Sequence, residues 1–383
     1  MQFPAASLPP STSPDLQLTH PTPGECQQIW TVVHQSWGDA LDLPQFLAES
    51  EHMLTVPLAR DGGMTLWILV DKNLHPNERP ILASCETFKK KGLLAREGAT
   101  NGVQDVVLHG IASVFCDPAY RGRGYAQRLM REIGEVLKTW QVGEVETCVG
   151  SVLYSDIGKV YYTKLGWKPV GHNRHLVFPA KKQEDVKSDK ECSVSNADLG
   201  KLCKRDEELA WRKLKGSGKV ALMVVPDENH IRWHHGKEDF MCGRILDKEC
   251  PFKGVLVGNP NGEDRAWAIW TRRFYGNGET ARRENTLYIL RLVFENQSAK
   301  EQDKAEMQES LKIIIRAAQA EADHWEMGAV KLWDPSPLVI DLMQGLDVEY
   351  KMVEREEDGI ASLMWYEEGD LPELVANEKY AWL

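Results

Sequence analysis

The chain has 383 residues, enough for two domains of ordinary size, and its 42% hydrophobic and 27% charged residues are those of a globular protein. A net charge of −11 argues against a nucleic-acid binder, which would carry a basic face, and suits a cationic substrate. The eight cysteines are scattered with no C-x-x-C pair, the N-terminus has no signal-peptide pattern, and no apolar run approaches the ~20 residues of a membrane span, so no metal site, disulfide framework or membrane contact is expected and the expected compartment is the reducing cytoplasm.

Residues 1–14, rich in Pro and Ser, read as a mobile arm. Residues 16–22 read as a strand. A helix follows, with Cys26, Ile29, Trp30, Val33 and Trp37 at helical spacing and Gly38 as its stop, then a second short helix from Leu43. Residues 64–71 and 81–88 are β-prone runs, and 89–101 (KKKGLLAREGATN) reads as a polar loop. Residues 106–118 form a long strand that stops at Pro118. After the glycines, Ala126, Leu129, Met130, Ile133, Leu137 and Trp140 mark one face of a helix. A strand over 144–153, a helix ending at Gly166 and a final strand pair over 167–178 complete an α+β (mixed α/β) lobe on one sheet.

Residues 181–192 read as a charged linker. Beyond it, strands at 266–273 and 286–295 precede a helix with Met307, Leu311, Ile314, Ile315, Ala318, Ala322 and Trp325 on one face. A strand over 329–333, a short helix and paired strands around residues 350–354 and 361–367 follow. That order repeats the second part of the first lobe and predicts a diverged second copy of its fold, with lobes at 15–180 and 193–383.

The chemistry concentrates at Arg121-Gly122-Arg123-Gly124-Tyr125-Ala126, between the strand ending at Pro118 and the amphipathic helix. Glycines there allow close backbone approach, the free N–H groups and the helix dipole favour phosphate, and the arginines add charge-assisted bonds. The glycine spacing is wrong for a dinucleotide fold, and no G-K-[ST] of a P-loop is present. The segment resembles the [QR]-x-x-G-x-[GA] motif of the GNAT acetyltransferases. VYYTKLGWK at 160–168 resembles that superfamily's F-Y-x-K-L-G-F segment. The resemblance implies a GNAT fold over about 15–180 and acetyl-CoA as cosubstrate. It also implies pantetheine pairing with the main chain of Val114, Phe115 and Cys116, and Tyr162 as the acid that protonates the departing thiolate. Ser155 stands where the family often has Asn, and can donate to pantetheine or a water.

Transfer to nitrogen needs a neutral amine, and an alkyl ammonium is neutral in only about one molecule in 2,500 at pH 7, a handicap of ~4.6 kcal/mol. A proton acceptor is therefore required. His109 and Glu86, on the strands that line the site in this fold, are candidates. So is the Leu383 carboxylate, because tandem-GNAT enzymes such as the N-myristoyltransferases can use their own terminus and this sequence ends in apolar EKYAWL. In the second lobe no Gly stands between Glu279 and Met327, so no second CoA is expected. Adjacent His234 and His235, read as strand residues, would point to opposite faces and share no metal.

Taken whole, SVFCDPAYRGRGYA and VLYSDIGKVYYTKLGW followed by a long C-terminal lobe resemble the fungal lysine N6-acetyltransferases that open lysine catabolism. The expected partner is a small-molecule amine, L-lysine foremost. A protein or histone acetyltransferase and a non-catalytic CoA-binding protein are the competing readings.

Overall fold

The computed structural model describes residues 8–96, 102–182, 188–216, 218–262, 264–276, 281–296 and 301–383. Residues 1–7 of the arm and 183–187 of the linker lie outside this set. The first elements are β1 (Leu16–Thr19), α1 (Pro23–Trp37), α2 (Leu43–Met53), β2 (Met64–Asp71), β3 (Ala83–Ala95) and β4 (Val103–Phe115). They are followed by α3 (Tyr125–Val136), β5 (Cys148–Ser155), α4 (Val160–Thr163), β6 (Lys168–Pro169) and β7 (Arg174–Pro179). The C-terminal half contains β8 (Glu191–Ser195), α5 (Leu199–Lys215), β9 (Ala221–Val224), α6 (Glu228–Phe240), β10 (Phe252–Val257), β11 (Ala266–Arg273) and β12 (Thr286–Phe294). It ends with α7 (Glu301–His324), β13 (Ala329–Trp333), α8 (Pro337–Gln344), β14 (Lys351–Glu354), β15 (Ile360–Trp365) and β16 (Glu373–Leu374).

Local chemistry explains the helix starts. Thr22 and Glu25 form a capping box ahead of α1, Asp42 and Gln45 form another ahead of α2, and each helix carries Pro in its first turn. The apolar stripe of α7 predicted from Met307 to Trp325 is buried against the second sheet.

Two mixed sheets result, and neither comes from one contiguous stretch. The first runs β1-β2-β3-β4-β5-β15-β6, with β9 on the free length of β3 and β16 beside β9; the second runs β14-β7-β13-β12-β11-β10-β8. The expected pairing of the strands over 167–178 is corrected here: β6 joins the first sheet and β7 the second. The expected pairing of the strands around 350–367 is corrected likewise, because β14 pairs with β7 and β15 with β5. The C-terminal half thus gives β9, β15 and β16 to the first sheet and takes β7 into the second, which ties the halves together through main-chain hydrogen bonds.

The polar loop predicted at 89–101 is in fact strand as far as Ala95. Its lysines find partners: Lys89 reaches Glu146 at 2.8 Å, and buried Lys90 donates to the Ala381 carbonyl at 2.7 Å. Tertiary pairing overrides the polar composition, with β9 completing the edge opposite Gly92–Ala95. His234 and His235 lie on helix α6, not on a strand. Each ring Nε2 meets a backbone carbonyl, of Tyr380 at 3.2 Å and of Trp270 at 2.9 Å.

Candidate active site

The parallel pairing of β4 with β5 stops at Ile111 and Leu153, four residues before β4 ends. Opposite β3 the register slips between Ser84 and Glu86, and Ser113 adopts φ +51°, a bulge that re-aims the end of β4. Val114, Phe115 and Cys116 therefore run on beyond the last β4–β5 pair, with no main-chain partner on that side among the described residues. The Cys116 thiol is pushed up to about 11 by burial, so it rests as a neutral thiol.

The turn beyond carries Gly122 at φ +76° and Gly124 at φ +83°, and Gly124 caps α3 without any capping side chain. These conformations suit glycine and leave the first-turn N–H groups of α3 available. The Nη1 of Arg123 is buried without a hydrogen-bond partner. Arg121 folds back, its Nε donating to the Cys116 carbonyl at 3.0 Å and its guanidinium lying over Phe115. The Tyr125 ring is core, its hydroxyl donating to Pro9 at 2.6 Å, so its part at the cradle is its main chain. Ala126 is half-buried beside it. Ser11 of the arm stands against Gly124, where an added Cβ would lie 2.8 Å from its Oγ. An unpaired guanidinium nitrogen, two left-handed glycines and an uncapped helix start fit the diphosphate of a CoA.

On the other side of the bulge lies a cavity of about 80 Å³, walled by α1, α2, β2, β3 and α6, with Trp30, Trp37 and Trp233 among its lining. Glu86 opens into it and accepts a 2.9 Å hydrogen bond from Ser113 Oγ. Burial raises the Glu86 pKa from its ordinary value, while the Ser113 bond opposes the rise. Glu49 is the cavity's other carboxylate, and Lys237 stands 3.9 Å from it.

The structure packs the Leu383 side chain against Met53 and Trp233, two residues of the cavity wall, and keeps His109 away. Leu383 packs with Met53, Phe88 and Trp233, and its side chain meets Gly110 of β4. His109 pairs with Lys89 on the opposite face of the sheet, where its Nε2 meets the Trp140 carbonyl at 3.0 Å. Burial holds the ring neutral, its pKa lowered to about 4. Tyr162 is buried on α4, edge-on to Tyr161 at 5.0 Å, with no hydrogen bond to its hydroxyl among the described residues. Its pKa is raised, chiefly by burial, which favours the protonated donor form. Ser155 spends its hydroxyl on the turn before α4, donating to Gly158 at 2.8 Å.

Ser113 and Lys237 escaped the sequence reading, while Trp233, in the Trp233-His234-His235 cluster that the sequence offered for the acceptor pocket, lines the cavity. The alternation of β4 gives no sign of a bulge, and reading His234 and His235 as strand hides the helix α6 that carries Lys237. The i, i+4 spacing of Trp233 and Lys237 was the available signal.

This frame of splayed parallel strands, glycine turn and helix is that of a GNAT N-acetyltransferase, an enzyme class that moves an acetyl group from acetyl-CoA to an amine. The acetyltransferase (GNAT) domain signature matches residues 90–169, and the LYC1 GNAT-like C-terminal domain signature matches residues 175–383. The chain belongs to this family of GNAT acetyltransferases with a second, GNAT-like lobe. It is 22% identical over 353 residues to the uncharacterised protein YGR111W of Saccharomyces cerevisiae, covering 84% of this chain and 82% of that one. It is 24% identical over 160 residues to the lysine acetyltransferase of Yarrowia lipolytica, 38% of each chain. Among solved structures, the N-myristoyltransferase of Saccharomyces cerevisiae with bound myristoyl-CoA shares the fold at a TM-score of 0.55 and 11% identity, over 96% of this chain and 86% of that one. A probable N-acyltransferase of Enterococcus faecalis does so at 0.52 and 13%, over 91% and 72%. Among the described residues no helix is long and apolar enough to cross a membrane.

Proposed function

We infer that the enzyme acetylates a primary amine of a small molecule, with the side-chain amine of L-lysine as acceptor, by direct transfer in a ternary complex. The observation that carries this reading is the Glu86 carboxylate, held by Ser113 at the β4 bulge and facing a tryptophan-walled cavity. A neighbouring carboxylate of raised pKa is suited to take the ammonium proton near neutral pH. Leu383, packed beside the same cavity, is the second candidate for that proton.

In this reading Arg121 to Ala126 hold the diphosphate, Val114 to Cys116 pair with pantetheine, and Tyr162 donates to the thiolate. The lobe over 15–180 carries the cofactor, and residues 193–383 wall the acceptor cavity through α6. His109 and Ser155 receive no role in the chemistry: the His109 ring lies on the far face of the sheet from the cavity, and the Ser155 hydroxyl is spent on Gly158. The partial likeness to the Yarrowia lysine acetyltransferase favours lysine among amines.

The test is release of free CoA thiol from acetyl-CoA against a panel of amines. Turnover with L-lysine that mass spectrometry assigns to the side-chain nitrogen supports the reading. Turnover with other amines and none with lysine overturns the acceptor, and turnover only on proteins overturns the small-molecule class.

A further inference from the structure

Next to the Glu86 cavity is a second, smaller one of about 20 Å³, room for one or two water-sized groups. The two share Trp233 and Lys237, one turn apart on α6, as a common wall. In a chain of net charge −11, the lining of this second cavity contains no Asp or Glu among the described residues. Its charged and titratable side chains are Lys237, Arg272, Arg273, Lys379 and His234, joined by the hydroxyls of Tyr275 and Tyr288.

Most of these cations are already neutralised. Arg272 pairs with Glu238 and Glu321, and Arg273 with Asp39 at 2.5 Å. Lys379 is not. It is 4% exposed, and among the described residues its ammonium meets no carboxylate within salt-bridge distance. The neighbouring Glu378 is committed to Arg291 at 2.7 Å. Instead the Lys379 Nζ sits in a box of rings, 3.2 Å from the Trp382 centroid, 4.2 Å from Trp333 and 4.8 Å from Tyr288. Cation–π contacts recover only part of the cost of burying an ammonium. Burial and the neighbouring Arg273 push the Lys379 pKa well below its ordinary value, and an anion entering the cavity would draw the side chain back to its charged form.

We propose that the cavity at Lys379 is a carboxylate subsite that selects amino-acid acceptors by binding the carboxylate remote from the reacting amine. The proposal rests on the reading of the Glu86 cavity as the acceptor site. With the amine at Glu86 and the carboxylate at Lys379, the aliphatic chain of the acceptor passes Trp233 and Lys237. Lys379 is then a specificity-determining residue, and Trp382 and Trp333 are its reporters. No bond is made or broken there.

The direct test is tryptophan fluorescence on titration with L-norleucine, which keeps the carboxylate and lacks the side-chain amine. Saturable binding to the wild type, at least tenfold weaker in Lys379→Gln and partly restored in Lys379→Arg, is expected. Absence of binding to the wild type, or equal binding by Lys379→Gln, overturns the subsite. The kinetic test compares L-lysine with 1,5-diaminopentane, the same chain without the carboxylate. The ratio of their kcat/KM values should fall at least tenfold in Lys379→Gln, and an unchanged ratio overturns the proposal. Should neither amine turn over, the lysine reading fails, and the norleucine titration still decides the subsite. Acetyl-CoA affinity of each variant, measured by calorimetry, separates loss of selectivity from loss of fold.

Discussion

Ser113 donates a 2.9 Å hydrogen bond to Glu86, from the one residue of β4 that adopts positive φ. The bulge that frees the end of β4 for a pantetheine chain thereby also supplies the donor that steadies the candidate base. The proposed cofactor seat and the proposed proton acceptor share one backbone distortion.

Glu86 must be ionised to accept a proton, and burial lifts its pKa above the ordinary carboxylate value. The kcat/KM profile should therefore show an acid limb displaced upward from that of a free glutamate. Ser113→Ala removes the bond that lowers the pKa, so the limb should move to still higher pH. Glu86→Gln should reduce kcat by about 10²-fold or more, the usual scale of general-base catalysis. A profile unmoved by Ser113→Ala would detach Glu86 from the rate.

Tyr162→Phe should lower kcat roughly 10²-fold, the scale expected for loss of a general acid, with little change in acetyl-CoA affinity. The hydroxyl has no hydrogen bond to lose among the described residues, so the melting temperature should hold. Stopped-flow thiol release beside calorimetry would check both, and unchanged kcat would point to Tyr161 or a water as the donor.

At Gly124, φ +83° is costly for any side chain, and Ser11 Oγ occupies the space a Cβ would need. Left-handed backbone costs about 1–2 kcal/mol in a residue with a Cβ, so Gly124→Ala should weaken acetyl-CoA about tenfold if the turn relaxes. The expected sign of success is a raised Kd by calorimetry with an unaltered circular dichroism spectrum. Equal affinity would exclude the turn from the cofactor seat.

Lys90 gives a stability test with a definite sign. Burial lowers its pKa to about 7, against about 10.4 for a free lysine, while its Nζ donates to the Ala381 carbonyl. Between pH 7 and 10 the unfolded chain keeps a proton that the folded chain has lost, so this residue makes stability rise with pH across that window. Below pH 7 both states are protonated and the burial penalty is felt in full. Lys90→Met should flatten the difference between urea midpoints measured at pH 7 and pH 9.5. If the variant keeps the wild-type slope, the charge is elsewhere.

The sequence by itself determined what rests on near neighbours in the chain. The strand before Pro118, the glycine turn at 122–124 and the apolar face from Ala126 to Ile133 were legible because helix periodicity and left-handed glycine are local properties, although β4 ends at Phe115 and α3 at Val136, short of the Pro118 and Trp140 expected. Capping pairs such as Thr22 and Glu25 are local in the same sense. Only the tertiary structure decided that β7 and β15 change places between the sheets and that β3 runs on through Lys89–Ala95. It also brought Glu86, Trp233, Lys237 and Lys379 around adjoining cavities, and turned His109 to the far face. These facts depend on pairing partners far away in sequence, and a strand of given composition can serve either sheet until register and burial select one.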